Sequence, residues 1–320
     1  MLISILVAAY NIECQIEDCL RSCLKQSYKD IEIIVVNDGS TDKTGSIAQK
    51  IALEDERIII INKENAGLVC ARKTGVQSAK GSYIFFLDGD DTIPHDAIEA
   101  LINFSREGDS DIVFGRQRIF SSNEKDMLTR GHDISEMTNI AFLNSVFCTA
   151  NPNIVGHFFK RDLFRFVKFH EELYKSIGED LVSIVQLLFH AQKISMTNSI
   201  TYNYIKREDS ITMSQDNIFA SGFDAIYITL QYVISFNIQD KVVPCILKPL
   251  KTFILGYVAS NTSFNKDKVK LNFCIHFMLD QKVYLKNSTS FSERIILFTS
   301  SKNLWLARKL FLAGKRILSK

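Results

Sequence analysis

Short, almost wholly apolar runs recur through the first third of the chain, and each is followed by a polar segment. They are four to six residues long and rich in Ile and Val. Runs this short, without alternation of polar and apolar positions, are typical of strands that are buried on both faces, as in a parallel sheet. We predict such strands at residues 3–8, 31–36, 58–61 and 83–87, and a fifth strand at residues 112–118.

Between these runs the apolar positions change to a helical spacing. Ile16, Leu20 and Cys23 form one such stripe. Strands that alternate with helices of this length predict a right-handed, doubly wound α/β domain. Further helices are predicted from the capping residues 40–42 to about residue 53, from 67 to 79, and after Pro94.

The remainder of the chain is less regular. Residues 121–135 are polar and predict a loop, and after residue 217 the periodicity is mostly helical. We therefore expect an α/β domain over residues 1–215 and a helical region over residues 216–320. The other predicted elements are helices at 137–147 and 179–190 and strands at 155–160, 193–197 and 199–206.

The composition is that of an ordinary globular protein, with 46% hydrophobic and 23% charged residues among 320. No basic segment or cleavage site precedes the first apolar run, and no uncharged apolar stretch reaches the roughly 18 residues that a membrane span needs. We therefore expect a cytoplasmic protein. The seven cysteines are scattered, and Cys19 and Cys23 have no CxxC pair or histidine partner, so we expect plain buried thiols.

Charge is distributed unevenly, although the formal net charge is only +2. From Lys286 onward there are eight Lys and Arg residues and one Glu, a net charge of +7, so the preceding 285 residues carry the difference of −5. A helix over residues 302–320 would separate apolar from basic side chains, which suits peripheral attachment to an anionic membrane surface. The alternative is a helix that packs on the domain with a solvated basic face. Nucleic acid is not an expected partner, because the rest of the chain is net acidic.

Polar side chains follow each of the first four predicted strands. In open α/β sheets, ligands bind at the carboxyl ends of the strands, so we expect these segments to meet at one edge. These segments contain an aromatic ring, an arginine and several carboxylates, and packing of a hydrophobic core explains none of them. The segments are Tyr10-Asn11, residues 37–42, residues 65–67 with Arg72 in the next helix, and residues 88–91.

The sharpest of these signals is the sequence Asp88-Gly89-Asp90-Asp91. Three carboxylates at a strand end repel one another unless a cation is present, and oxygen ligands suit Mg²⁺ or Mn²⁺. Gly89 allows the backbone to turn tightly and to approach a ligand. The alternative is a solvated acidic turn that caps the helix after Pro94, but the position at the end of a buried strand favours a metal site.

The glycine-rich phosphate loops of other nucleotide-binding folds are missing from the expected place. Neither GxGxxG nor GxxxxGK[ST] follows the first strand, where the sequence is AAYNIE. A bound nucleotide is therefore not held by such a loop. A sugar-1-phosphate nucleotidyltransferase shares the α/β plan, but it would also need a glycine-rich N-terminal loop.

Together these motifs resemble family 2 of the glycosyltransferases, which have the GT-A fold. The resemblance covers roughly residues 1–215 and includes five motifs in the family's order. It implies an α/β GT-A fold with a mostly parallel central sheet flanked by helices, followed here by a helical C-terminal region. The matching segments are residues 5–11, 35–42, 65–72, 81–91 and 178–180.

The resemblance assigns nucleoside contacts to residues at the ends of the first two strands. Positions matching Ala8, Tyr10 and Asp38 hold the nucleoside, with the Tyr10 ring on the base and Asp38 accepting from the uracil imide. Asn11 belongs to the same motif and is assigned to the donor site with them. One departure is Asn37, where the family often has Asp.

The resemblance also implies a diphosphate and metal site. The position matching Arg72 lies near the diphosphate, and Gly89 belongs to the same site. Asp88 matches an acid that touches ribose or metal, and Asp90 matches the acid that ligates the metal, Mn²⁺ or Mg²⁺.

Asp180 matches the catalytic base of the family. An ionised aspartate can take the proton of an acceptor hydroxyl as the new bond forms. Without the resemblance, an acid at a predicted helix start is more simply interpreted as a cap. His157 and residues 207–212 fall where the family builds its acceptor side and closing loop, although a lone histidine is more often structural.

The resemblance thus predicts an inverting glycosyltransferase of surface polysaccharide synthesis. It would move a sugar from a nucleotide diphosphate donor, a UDP-hexose or a UDP-N-acetylhexosamine, to a hydroxyl of a glycan or lipid-linked glycan. A cation and an arginine can offset the charge that develops on the leaving diphosphate. The alternative from another class is a non-catalytic subunit that binds sugar nucleotides, which the joint presence of Asp88, Asp90 and Asp180 disfavours.

Overall fold

The computed structural model describes residues 1–105, 109–120, 128–132, 138–149, 152–173, 178–206, 218–237 and 268–280, with residues 241, 242, 245, 246, 250, 251 and 254. The chain divides into two compact units. The first takes in residues 1–142, 153–175 and 186–210, and the second takes in residues 143–152, 176–185 and 211–320. The domain limits of 1–215 and 216–320 stay a prediction, because compactness alone does not define an independently folding domain.

The first unit is built on a sheet that contains eight strands of the described residues. Its first four strands are β1 (Ile3–Ala9), β2 (Ile31–Asp38), β3 (Ile58–Lys63) and β4 (Tyr83–Asp88). They are all parallel and lie in the order β3-β2-β1-β4. Nearly every side chain of β1, β2 and β4 is buried, as expected for a parallel sheet that is covered on both faces. The four predicted strands are confirmed to within two residues.

Helices connect these strands and follow the last of them, as predicted. They are α1 (Ile16–Leu24), α2 (Thr44–Ala52), α3 (Leu68–Ser78) and α4 (Ala97–Phe104). The helix α2 begins just after the predicted capping residues, and the backbone amide of Thr44 donates to Asp42 Oδ1 at 2.9 Å.

The second half of the sheet is mixed. Strand β5 (Ile112–Phe120) pairs antiparallel with β6 (Leu128–Arg130) and β7 (Phe158–Lys160), and parallel with β8 (Ile194–Ile205). Strand β7 also pairs antiparallel with β4, so it joins the two parallel groups.

Two expectations about this half of the sheet were wrong. Strand β6 lies inside the predicted loop, because three residues that pair through a tertiary contact leave no periodic pattern in the sequence. The two strands predicted on either side of residue 198 are one strand, β8. Its polar middle is accommodated by irregular pairing with β5 between Phe114 and Arg116.

The described structure also includes the α-helices α5 (Asn139–Thr149), α6 (Glu179–His190), α7 (Ile218–Ser235) and α8 (Lys268–Asp280), and 3₁₀ helices at Arg161–Phe166 and Glu171–Leu173. Within the second unit, α7 and α8 contact each other, and Lys270 Nζ lies 2.7 Å from Asp224 Oδ1. Among the described residues, none of the helices combines the length and the apolar composition of a membrane span. The basic helix expected at residues 302–320 lies outside the described residues.

The described thiols are free. Cys19, Cys23 and Cys274 are buried as expected. The expectation was wrong for Cys14, which is exposed, and Cys70 and Cys245 are only partly buried. Cys14 lies in the loop before α1, where no apolar layer covers it.

His157 belongs to the core of the first unit. It is 2% exposed, and its Nδ1 accepts from the backbone amide of Gly115 at 3.1 Å. Its Nε2 lies 3.1 Å from Asn153 Oδ1, and its ring lies edge-on to Phe114. Burial lowers the pKa of His157 from 6.5 to about 3, and the nearby His132 adds to this effect. These contacts therefore favour a structural role for His157 over a role on the acceptor side.

This low pKa predicts a pH-dependent loss of stability. The unfolded chain takes up a proton near pH 6.5, whereas the folded chain does so only near pH 3, so the free energy of unfolding should fall as the pH drops between these values. The contribution of one such group is at most about 1.4 kcal/mol per pH unit. His157→Asn keeps an acceptor for the Gly115 amide but does not titrate, so urea unfolding across this range should show a shallower slope. Equal slopes in both proteins would contradict the prediction.

Candidate active site

The carboxyl ends of β1, β2 and β4 bring the predicted donor-site residues to one edge of the sheet. In the parallel register, Ala8 lies beside Val36 on one side and beside Asp88 on the other. The ladder continues past β4, because the Gly89 amide donates to the Ala8 carbonyl at 2.9 Å. A Cβ on Gly89 would lie 2.5 Å from Ile12 Cδ1 and 2.8 Å from the Ala8 oxygen, so only glycine allows this close approach.

The loop after β1 is tied to the loop after β2. Asn11 has a positive φ of 50°. Its Oδ1 accepts from the Thr41 amide at 2.8 Å, and its own amide donates to Ser40 Oγ at 3.1 Å. Tyr10, immediately before it, is 49% exposed. These hydrogen bonds hold the two loops together and leave the Tyr10 ring exposed to solvent at the sheet edge. The Asn11 side chain serves to link the loops.

Asp38 is a buried acid whose carboxylate already has several partners. It is 3% exposed, and Lys63 Nζ lies 2.6 Å from its Oδ1. The amide of Gly67 donates to Oδ2 at 2.7 Å, and the amide of Ala66 donates to Oδ1 at 3.1 Å. Asp38 therefore holds the loop that leads into α3, and its contact with a nucleoside stays a prediction. Lys63 was missed by the sequence analysis, although it closes β3 at the same edge.

Arg72, on α3, is directed at the end of β4. Its side chain is 6% exposed, and Nη2 of its guanidinium lies 3.0 Å from Asp88 Oδ1. The same guanidinium lies 5.9 Å from the centre of the Phe86 ring. The structure thus brings Arg72 and Asp88 together, and the arginine places a buried positive charge directly behind the acid.

Residues Asp88–Asp91 form what we call the acidic turn, which the Asp91 amide closes by donating to the Asp88 carbonyl at 3.0 Å. Asp88 and Asp90 are partly exposed. Asp91 is 1% exposed, and its Oδ2 accepts from the Tyr202 hydroxyl at 2.6 Å. Burial raises the pKa of the Asp91 carboxyl to about 8, and the adjacent Asp90 and Asp88 carboxylates add to the rise. Of the three acids in the turn, the two that are predicted to ligate the metal, Asp88 and Asp90, are therefore the two that are partly exposed.

Asp88 and Asp90 fit a divalent cation that takes its other ligands from substrate. Among the residues that the structure describes, no group of three or more acidic, His or Cys side chains is arranged to hold a metal. Mg²⁺ and similar ions commonly bind through one or two carboxylates together with phosphate and water. The two acids therefore suit an ion that binds along with a diphosphate.

Asp180 lies in the second unit, where it occupies the first turn of α6 and is partly exposed. The helix begins sharply after Gly178, which has a φ of +110°. A Cβ on Gly178 would lie 2.7 Å from Ala225 Cβ on α7, so a larger residue would not fit. The start of α6 is thus held firmly within its own unit. The acceptor-side residues 207–212 lie outside the described residues.

Comparisons with known proteins identify the fold and the family. Over 99% of this chain and 92% of the other, the structure is similar to S. aureus TarS 1-349 in complex with UDP-GlcNAc, with a TM-score of 0.71 and 17% identity. At this identity the likeness establishes the fold, and the chain has the GT-A fold of nucleotide-sugar glycosyltransferases. Residues 4–166 match the family model described as Glycosyl transferase family 2. The chain belongs to that family.

Two bacterial relatives support the assignment. The chain is 32% identical to glycosyltransferase GlyA of Streptococcus pneumoniae over 222 residues, which are 66% of this chain and 31% of GlyA. It is also 32% identical to an uncharacterized glycosyltransferase of Haemophilus influenzae over 223 residues, 65% of this chain and 89% of that protein. The match therefore spans less than a third of the length of GlyA.

The environment of Asp38 predicts a large loss of stability when its carboxylate is removed. In Asp38→Ala, the Lys63 ammonium and the amides of Ala66 and Gly67 lose their acceptor, which should lower the free energy of unfolding by about 3 kcal/mol. The matched control is Glu54→Ala, which removes an exposed acid that is paired with Arg21 and should have little effect. Urea unfolding measures both, and similar losses in the two variants would refute the structural role of Asp38.

Proposed function

We propose that this protein is an inverting glycosyltransferase that uses a UDP-hexose or UDP-N-acetylhexosamine donor. The acceptor is a hydroxyl of a glycan or lipid-linked glycan of a surface polysaccharide. The observation that carries the proposal is the convergence of the Tyr10 ring, the Asp38 carboxylate and the Arg72–Asp88 pair at one edge of the sheet. The similarity to TarS, which was solved with UDP-GlcNAc, supports a uridine donor.

The nucleoside lies against the ends of β1 and β2. The exposed Tyr10 ring stacks on the base, and the backbone at Ala8 and Asn11 forms the floor beside it. Asp38 accepts the imide N–H of uracil. Because Lys63 and two backbone amides already orient this carboxylate, the acceptor is in place before the nucleoside arrives.

The diphosphate lies over the acidic turn. Asp88 and Asp90 would hold Mn²⁺ or Mg²⁺, which when bound would offset the charge that develops on the leaving diphosphate. Arg72 adds positive charge behind Asp88 and holds its Oδ1 in one orientation. Gly89 keeps the turn close to β1, so the phosphates can approach the backbone there.

The transfer itself is a displacement at the anomeric carbon with Asp180 as base. The acceptor oxygen forms a bond to that carbon on the face opposite the diphosphate, the bond to the diphosphate oxygen breaks, and UDP leaves with the electron pair. The acceptor proton passes to the Asp180 carboxylate. The location that we propose is the cytoplasm, with attachment through residues 302–320 to an anionic membrane surface.

Donor binding is predicted to depend on the cation through Asp90. Calorimetry of UDP should show tighter binding with Mn²⁺ than with EDTA, and Asp90→Ala should remove this gain. The control Asp109→Ala removes an exposed acid paired with Lys193 and should keep it. Absence of UDP binding under every condition would contradict the uridine donor and direct the search to GDP-sugars and dTDP-sugars.

Loss of the base is predicted to separate turnover from donor binding. With water as the acceptor, Asp180→Asn should slow UDP release from UDP-N-acetylglucosamine by about 10²–10⁴-fold, while UDP binds as tightly as before. Glu179→Gln, which makes the same charge change one residue earlier, serves as the control and should retain most of the activity. Unchanged release in Asp180→Asn would rule out its role as base, and no release by any protein would favour the non-catalytic subunit.

A further inference from the structure

One buried hydroxyl joins the two ends of the acidic turn. The Tyr202 side chain is fully buried, and its hydroxyl donates to Asp91 Oδ2 at 2.6 Å. The same hydroxyl accepts the backbone N–H of Asp88 at 3.3 Å. Because Asp88 and Asp91 are the first and last residues of the turn, this single group bridges its whole span.

The end of β8 adds further bonds to the same turn. The Ile205 amide donates to Asp91 Oδ1 at 2.7 Å, so both oxygens of this carboxylate are held by β8. Thr92 and Asn203 exchange backbone hydrogen bonds of 2.9 and 3.3 Å. Tyr202 is itself packed tightly, since a Cβ on Gly156 would lie 2.6 Å from its Cβ. The conformation of the turn therefore depends on β8, more than 100 residues later in the chain.

We propose that Asp91 and Tyr202 are positioning residues that set the direction in which Asp88 and Asp90 present their carboxylates to the cation and the donor diphosphate. Asp91 is not a ligand, because both of its oxygens face β8. This inference rests on the proposed function of the acidic turn. Groups that hold metal ligands in place typically change metal affinity by 10–100-fold when they are removed.

The test uses two tyrosines of similar burial at opposite ends of the sheet. Tyr202→Phe removes the bridging hydroxyl and keeps the ring. Tyr83→Phe is the matched control, because Tyr83 is also fully buried and its hydroxyl donates to the Ser110 carbonyl at the far end of β4. Tyr202→Phe loses two buried hydrogen bonds and Tyr83→Phe loses one, so thermal unfolding should shift in both variants and somewhat more in Tyr202→Phe.

The discriminating measurement is the gain in UDP affinity on replacing EDTA with Mn²⁺, determined by calorimetry. We expect Tyr202→Phe to reduce this gain about tenfold and to leave UDP affinity in EDTA unchanged. Tyr83→Phe should retain the full gain. A full gain in Tyr202→Phe would overturn the inference and leave the donor site intact, whereas a wild-type protein without any gain would overturn both.

A second variant separates positioning from direct ligation. If Asp91 acts together with Tyr202, Asp91→Asn should reduce the gain, and the double variant should lose little more than the stronger of the two single variants. If Asp91 were a ligand, Asp91→Asn would abolish the gain completely, as Asp90→Ala does. That second pattern would overturn the proposal.

Discussion

Parallel hydrogen bonding of β1 to β2 on one side and to β4 on the other determines where the donor-site residues of the first unit lie. The register sets Ala8 beside Asp88 and Ala9 beside Asn37, so the polar residues that follow the three strands begin at one level. Burial of Ile, Val and Phe on both faces stabilises this pairing. The loops can then carry charges and an exposed ring, because they contribute little to the core on which the pairing depends.

Charges at this edge are paired before any ligand binds. Asp38 has Lys63 and Asp88 has Arg72, and each pair includes a side chain that is at least nine-tenths buried. An unpaired charge in such a position would be strongly destabilising, so the pairs are a condition of folding as well as a feature of the site. They also hold the carboxylates in defined orientations, which is the preorganisation that stabilises developing charge in a reaction.

Sequence patterns predicted the first half of the fold closely, since hydrophobic runs and helical stripes are local properties. They were less successful beyond residue 120. Strand β6 has only three residues, and β8 has a polar middle, so neither shows a period that can be recognised in isolation. Lys63 could have been found, because it follows an apolar run at the same edge as Asp38. Tyr202 could not, because nothing near it in the sequence indicates a partner among residues 88–91.

By itself, the sequence determined the alternation of strands and helices, the edge at which polar residues collect, and the motifs of the family. These follow from neighbours within a few residues and from the rule that parallel strands end together. Only the tertiary structure decided that Asp90 is partly exposed while Asp91, the next residue, is buried against Tyr202. The two acids are chemically identical. They differ in burial because β8, which is more than 100 residues away in the sequence, packs against Asp91 in the folded protein.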